Sequence, residues 1–358
     1  MESQLKPMET VILTQFLRDY LNRFNAYKMN FGFRKGAFEF AGQARNTNTA
    51  KLDGVEYDLE PMLQACEAPG HVSIGGDFVV GFDYEPLTET GAITQEVGLS
   101  IFDTANHGYD AFFLSGHIRG LLLNILDAHI RDRRRIENHI FTELNNLLKG
   151  PLTQALVKST NPSRATRTRG AVGLHGQFHV DTGDFNFVCT GLPVFYYSSV
   201  QNRFIYLEPN SGPPLGYFSE NDAFYKPYVP HNVKLHPGDY LILATDGCFE
   251  SECYEDLCPA LGAPPEPIGF FRYPENFNME NTSAFSLYDM APDEIGVQND
   301  PDIQSFCHFL QPYVASGVGA SLIVQNALEA IKETPYFNFD DKSLIVVKAL
   351  GEEEMIAI

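Results

Sequence analysis

Two β-hairpins in succession restrict the folds open to this chain more than any other feature. Phe178 and Val180, then Phe185 and Phe187, alternate on either side of Asp181-Thr182-Gly183-Asp184, a turn-forming centre between two amphipathic runs. Residues 194–197 and 204–207 form a second pair of the same kind. Consecutive hairpins build an antiparallel sheet and argue against a doubly wound parallel one.

The rest of the chain supplies further strands and the helices to cover them. Residues 78–84 and 97–102 are rich in Val, Ile and Phe, as strands are, and residues 240–245 (YLILAT) and 343–349 read as buried strands. Helical spacing places Ala111, Leu114, Ile118, Leu121, Ile125 and His129 on one face, then Ile136, Ile140, Leu144 and Leu147 on another, with Pro151 closing the stretch. A last helix is expected near 319–333. Residues 10–28 present Leu13, Phe16, Leu17, Tyr20, Leu21 and Phe24 as an apolar stripe, which either packs on the main domain or pairs with a second copy. Residues 30–70 give no clear element and read as irregular. The Pro-, Asn- and Phe-rich stretch from about 252 to 313 is too long for a simple connection and reads as an insertion or flap. The domain reading is therefore residues 1–60 as helix and lead-in, and 61–350 as the main domain.

Composition removes several functions. The 358 residues include 25 Lys and Arg against 46 Asp and Glu, a net charge of −21, which repels nucleic-acid backbones and anionic membranes. No apolar run approaches the roughly 20 residues needed to cross a bilayer, and the N-terminus lacks a signal-like pattern, so a cytoplasmic protein is expected. Six scattered cysteines fit free thiols better than a disulfide framework. Cys248, Cys253 and Cys258 recur every five residues without a CxxC pair, and packing is favoured over zinc.

The chemistry lies in aspartates at strand ends. Asp77 precedes the strand at Phe78, Asp103 follows Phe102, Asp246 follows YLILAT, and the pair Asp340-Asp341 precedes the last strand. In antiparallel sheets the end of one strand and the start of its neighbour share an edge, so these positions can converge. Each alone is an ordinary turn residue. Together, clustered carboxylates repel one another unless a cation offsets them, and oxygen-only donors suit Mg2+ or Mn2+ better than zinc. Nucleophile-based classes lack their motifs: there is no GxSxG, no CxxxxxR and no GxxxxGK.

On these residues the chain resembles the metal-dependent protein phosphatases (PPM), in particular the bacterial SpoIIE-like branch with its RsbU-type members. The matching motifs are IGGDF (residues 74–78), IFDTANHG (101–108), SGPPLG (211–216), LHPGDYLILATDGCFES (235–251) and DDKSLIVV (340–347), in the family's order. The resemblance implies an α+β fold, an αββα sandwich of two antiparallel sheets flanked by helices. It implies a serine/threonine phosphatase using two Mn2+ or Mg2+ ions, with Asp103 bridging both, the Thr104 carbonyl beside it, Asp246 and Asp340 on the first ion and Asp77 on the second. Asp103 and Asp246 are thus the expected catalytic centre, and Asp341 is the less favoured half of its pair.

The motifs also depart from the family pattern. Asn106 replaces a glycine, a change Asn tolerates, and His107 reads as an exposed loop residue before it reads as an acid. CTGLP (residues 189–193) replaces the NAGHP of many relatives, which bears on substrate recognition more than on metal binding. The implied substrate is a small regulatory phosphoprotein of a bacterial signalling pathway, such as a STAS-like anti-sigma factor antagonist, for which the Arg131–Arg135 turn is a candidate docking point. Homodimerisation through residues 10–28 is a further expectation. A non-catalytic phosphatase-fold scaffold, or a hydrolase of small phosphate esters, stays open at this point.

Overall fold

The computed structural model describes residues 30–45, 49–52, 55–58, 76–86, 93–104, 109–131, 140–150, 170–207, 212–219, 221–222, 225–248, 301–333, 341–351 and 354. The helix expected at 10–28, the turn at 132–135 and His107 lie outside them.

Two antiparallel sheets face each other. One has the order β1-β2-β13-β12-β9-β10, from Phe31–Lys35 (β1), Phe38–Arg45 (β2), Lys342–Ala349 (β13), Tyr240–Ala244 (β12), Val194–Ser198 (β9) and Arg203–Leu207 (β10). The other runs β11-β8-β7-β6-β5, from Pro230–Lys234 (β11), Asp184–Thr190 (β8), Ala171–His179 (β7), Glu96–Thr104 (β6) and Phe78–Tyr84 (β5). Thr49–Leu52 (β3) and Val55–Asp58 (β4) pair separately. Helices α1 (Tyr109–Arg131) and α2 (Ile140–Leu148) cover the second sheet, and α3 (Pro301–Ala315) and α4 (Ala320–Glu333) cover the first. This is the αββα sandwich.

Strand periodicity explains why the central strands are apolar throughout. Leu241, Leu243, Ile345 and Val347 meet Leu99, Ile101 and Val79 between the sheets, while their neighbours Ile242, Leu344 and Val346 face Phe306, Leu310 and Ile323 of the covering helices. On the other sheet Phe78, Val80 and Phe102 turn outward to Ile118, Leu122 and Phe141. With both faces covered there is no polar face to alternate. Aromatic rings join the layers: Phe178 lies edge-on to Phe38 at 4.6 Å and to Phe40 at 5.3 Å.

Both expected hairpins are present, as β7–β8 with Gly183 at φ 74° in its turn, and β9–β10 with Asn202 at φ 51°. Three readings are corrected. Residues 31–45 are not irregular lead-in but two strands of the larger sheet, and β2 pairs with β13 along its whole length. The main domain therefore includes residues from near Phe31, ahead of the boundary at 60/61. The stretch ascribed to an insertion as far as residue 313 ends earlier, because α3 starts at Pro301 and buries Ile303, Phe306 and Leu310 in the core. Residues 249–300 lie outside the description. No helix among the described residues is long and apolar enough to cross a membrane.

Candidate metal centre between the sheets

The strand-end aspartates come from both sheets, not from one. Asp77 and Asp103 flank the adjacent strands β5 and β6, whereas Asp246 and Asp341 flank the adjacent strands β12 and β13 of the facing sheet. Alternation fixes the side on which each falls. Asp103 shares the inward register of Leu99 and Ile101, Asp77 that of Val79, Asp341 that of Ile345 and Val347, and Thr245 that of Leu241 and Leu243. All four side chains thus stand at one mouth of the space between the sheets.

Hydrogen bonds tie that mouth together. The Gly76 N–H donates to Asp341 Oδ2 at 2.5 Å, and the Thr104 hydroxyl donates to the Gly76 carbonyl at 3.0 Å. The Thr245 hydroxyl donates to Asp77 Oδ2 at 2.7 Å, and the Ser343 N–H donates to Thr245 Oγ1 at 2.9 Å. Asp246 opens a short 3-10 turn, Asp246–Cys248, and its Oδ1 receives the Gly247 N–H at 2.7 Å. Asp77 and Asp341 are buried at 3% and 2% exposure, while Asp103 and Asp246 are half-buried. The buried pair is held by hydrogen bonds across to the facing sheet.

A neighbouring segment is pinned to the same edge. Thr104 pairs with Ala171 at the start of β7, and Ala171 in turn exchanges both backbone hydrogen bonds with Leu215 of the SGPPLG motif. The fully buried Asn145 of α2 fixes that motif by accepting the Gly216 N–H at 2.8 Å and donating to the Phe218 carbonyl at 2.9 Å. Lys149 Nζ donates to the Tyr217 carbonyl at 3.0 Å. Gly216 sits at φ 81°, where a side chain would be strained.

The donor chemistry is oxygen throughout: carboxylates from Asp77, Asp103, Asp246 and Asp341, hydroxyls from Thr104 and Thr245. Such a set fits a hard divalent cation. The Ser343 hydroxyl, fully buried beside Thr245, finds no hydrogen-bond partner among the described residues. Among the described residues no group of three or more His, Cys, Asp or Glu side chains closes on one point, and Asp340 lies outside them.

Other reactive side chains are out of play. Ser100 Oγ and His175 Nδ1 lie 2.8 Å apart, but both residues are buried beneath α1, and burial with the nearby His129 charge pushes His175 down to about 3. Burial pushes the Cys189 thiol up to about 12 and raises Cys248 as well. The sequence reading missed Thr245, Asp341 as a contact of the GGD loop, and Asn145. The threonine of TDG was the available signal for the first; nothing in the sequence ties Asn145 to a motif 71 residues away.

A family model described as Stage II sporulation protein E (SpoIIE) matches residues 94–260, just under half of the chain. Among solved structures, the chain is similar to the RsbU and RsbW domains of a Mycobacterium tuberculosis protein (14% identity, TM-score 0.50, 90% of this chain) and spans 61% of that structure's length. It is also similar to RsbX in complex with magnesium (14%, TM-score 0.42, 89% of this chain and 98% of that one) and to the phosphatase domain of SpoIIE from Bacillus subtilis (16%, TM-score 0.38, 89% and 96%). No curated protein sequence matches this one. Over residues 94–260 the chain is thus similar to the SpoIIE family, and the likeness to solved structures shows a shared fold.

Proposed function

We propose that this chain is a metal-dependent phosphoserine/phosphothreonine phosphatase acting on a small regulatory phosphoprotein of a bacterial signalling pathway. One observation carries the reading: acidic residues stand at four strand ends, two in each sheet, and the Gly76–Asp341 and Asp77–Thr245 hydrogen bonds link the two sheets there. Asp103, Asp246, Asp340, Asp77 and the Thr104 carbonyl would hold two Mn2+ or Mg2+ ions. When bound, such ions offset phosphoryl charge and lower the pKa of a water.

The chain's own part is positional. Its rigid sheet ends keep the carboxylates at fixed places, and the buried Asp77 and Asp341 cannot swing away without breaking hydrogen bonds to the facing sheet. Asp103 and Asp246 are half-buried and thus the more solvent-exposed of the four carboxylates. A covalent phosphoenzyme has no support from the described residues here, since Ser100 is buried and the Cys248 and Cys189 thiols stay protonated at neutral pH. Water is the nucleophile that the family resemblance implies.

By the family resemblance the substrate is a STAS-like anti-sigma factor antagonist. The test is hydrolysis of p-nitrophenyl phosphate and of a phosphorylated STAS-domain protein, with Mn2+, Mg2+ or EDTA, beside the Asp246→Asn variant. Turnover that needs the metal and vanishes in the variant supports the reading. Metal-independent turnover, or none with any metal, contradicts it and favours a scaffold.

A further inference from the structure

We infer that Thr245 and Asp341 are positioning residues of the metal centre, and that the Asp340-Asp341 pair divides its labour, with Asp341 orienting the GGD loop and not acting as a ligand. The inference rests on the metal-dependent reading above and goes beyond it, because it concerns residues that would touch neither ion nor substrate.

The direction of each hydrogen bond follows from what the groups can do. A backbone N–H only donates, so the Ser343 N–H at 2.9 Å must use a lone pair of Thr245 Oγ1. The single hydroxyl proton of Thr245 is then free to point elsewhere, and Asp77 Oδ2 lies 2.7 Å away. An ionised Asp77 accepts that proton, and the bond fixes the rotation of its carboxylate. The threonine backbone is locked as well: its N–H donates to the Ser343 carbonyl at 3.0 Å and its carbonyl accepts the Cys248 N–H at 3.0 Å. Thr245 therefore joins the first residue pair of β13 to the residue ahead of β5, across the two sheets, through one hydroxyl.

Asp341 makes a second such link from the same sheet. Its Oδ2 accepts the N–H of Gly76, the residue that precedes Asp77, and the Gly76 carbonyl is held in turn by the Thr104 hydroxyl. The two peptide groups that flank Gly76 are thus each fixed by a side chain, one from each sheet. The residue carrying Asp77 is held by its loop through Asp341 and by its carboxylate through Thr245. Groups that orient ligands in this way typically change metal affinity by about 10–100-fold when removed.

The experiment is calorimetric titration of Mn2+ into the full chain and four variants, with thermal melting of each metal-free protein as the control on folding. Thr245→Val keeps the shape and loses the hydroxyl; Thr245→Ser keeps the hydroxyl. Thr245→Val should weaken Mn2+ binding by about 10–100-fold even well below its metal-free melting temperature, and Thr245→Ser should restore most of it. Asp341→Asn, which keeps an acceptor oxygen for Gly76, should weaken binding by no more than about tenfold, whereas Asp340→Asn should abolish it. Equal loss in the valine and serine variants, or wild-type binding in Thr245→Val, overturns the role of the hydroxyl. Abolition by Asp341→Asn with survival in Asp340→Asn overturns the division of the pair. A wild-type chain that binds no Mn2+ overturns the metal reading itself, and this inference with it; the other outcomes leave that reading standing.

Discussion

Strand β6 carries a buried or half-buried carboxylate near each of its ends, and the two are treated in opposite ways. At its start Glu96 is fully buried, with Tyr84 OH donating to Oε2 at 2.7 Å, while Oε1 has Thr94 Oγ1 at 3.2 Å and His179 Nδ1 at 3.1 Å. Every one of these partners belongs to β5, β6, β7 or the residues leading into β6, so a single sheet satisfies both oxygens. At the other end Asp103 is half-buried on the inward face, and the carboxylates around it are oriented by partners from the facing sheet. A carboxylate whose oxygens are used up within its own sheet fastens the fold. Carboxylates brought from two sheets to a shared mouth, with one face toward solvent, are arranged to meet a ligand.

The contrast is broken most severely at the open end. Asp103→Asn and Asp246→Asn should each lower metal-stimulated turnover by at least about a hundredfold while the melting temperature moves little. The opposite pattern belongs to Glu96. Glu96→Ala strands the Tyr84 hydroxyl and His179 around a void and should cost about 3 kcal/mol in urea unfolding, with Mn2+ affinity unchanged. If Glu96→Ala weakened Mn2+ binding while Asp103→Asn did not, the assignment of the two ends would be reversed.

A smaller effect sharpens how the open end is held. Asn145 is fully buried and satisfies two backbone groups of the SGPPLG region, so Asn145→Ala should destabilise the protein by about 2 kcal/mol and lower turnover severalfold. Unchanged unfolding in that variant would detach α2 from the site.

The smallest effect lies between the two ends. His175, opposite Ser100 of β6, is held neutral by burial with its pKa pushed down to about 3, below the ordinary value of 6.5. The unfolded chain therefore binds more protons than the folded one across that window. This contribution is fully present above pH 6.5 and is lost as pH falls toward 3, by on the order of 1 kcal/mol per pH unit at most. Urea unfolding at a series of pH values, compared with His175→Gln, isolates it: the variant should show a shallower slope between pH 6 and 4.

Much of the sandwich was legible because its signals are local. The β7–β8 and β9–β10 hairpins advertise themselves through alternation about a turn, and β12 and β13 through unbroken apolar runs. β1 and β2 escaped notice since Gly32, Gly36 and Gly42 interrupt the pattern. Gly42 is nevertheless a packing notch: a Cβ there would come within 2.6 Å of the Phe31 ring. Helix α3 was hidden by Pro301, which begins it, and by Pro312 near its end, positions that a helix tolerates or absorbs but a reading by breakers does not. At the site, strand-end placement named the aspartates, but register alone decides which sheet each comes from and on which face it falls. Thr245 and Asn145 act over 168 and 71 residues of sequence, a separation at which no local pattern speaks.

The central claim is that the mouth between the sheets is a divalent-cation site built from both of them. Calorimetric titration of Mn2+ into the full chain, repeated with Asp103→Asn from one sheet and Asp246→Asn from the other, tests it most directly. The account predicts saturable binding of two ions that either substitution, on either sheet, removes or sharply weakens. Binding that survives both substitutions unchanged, or no binding by the unaltered chain, would contradict it.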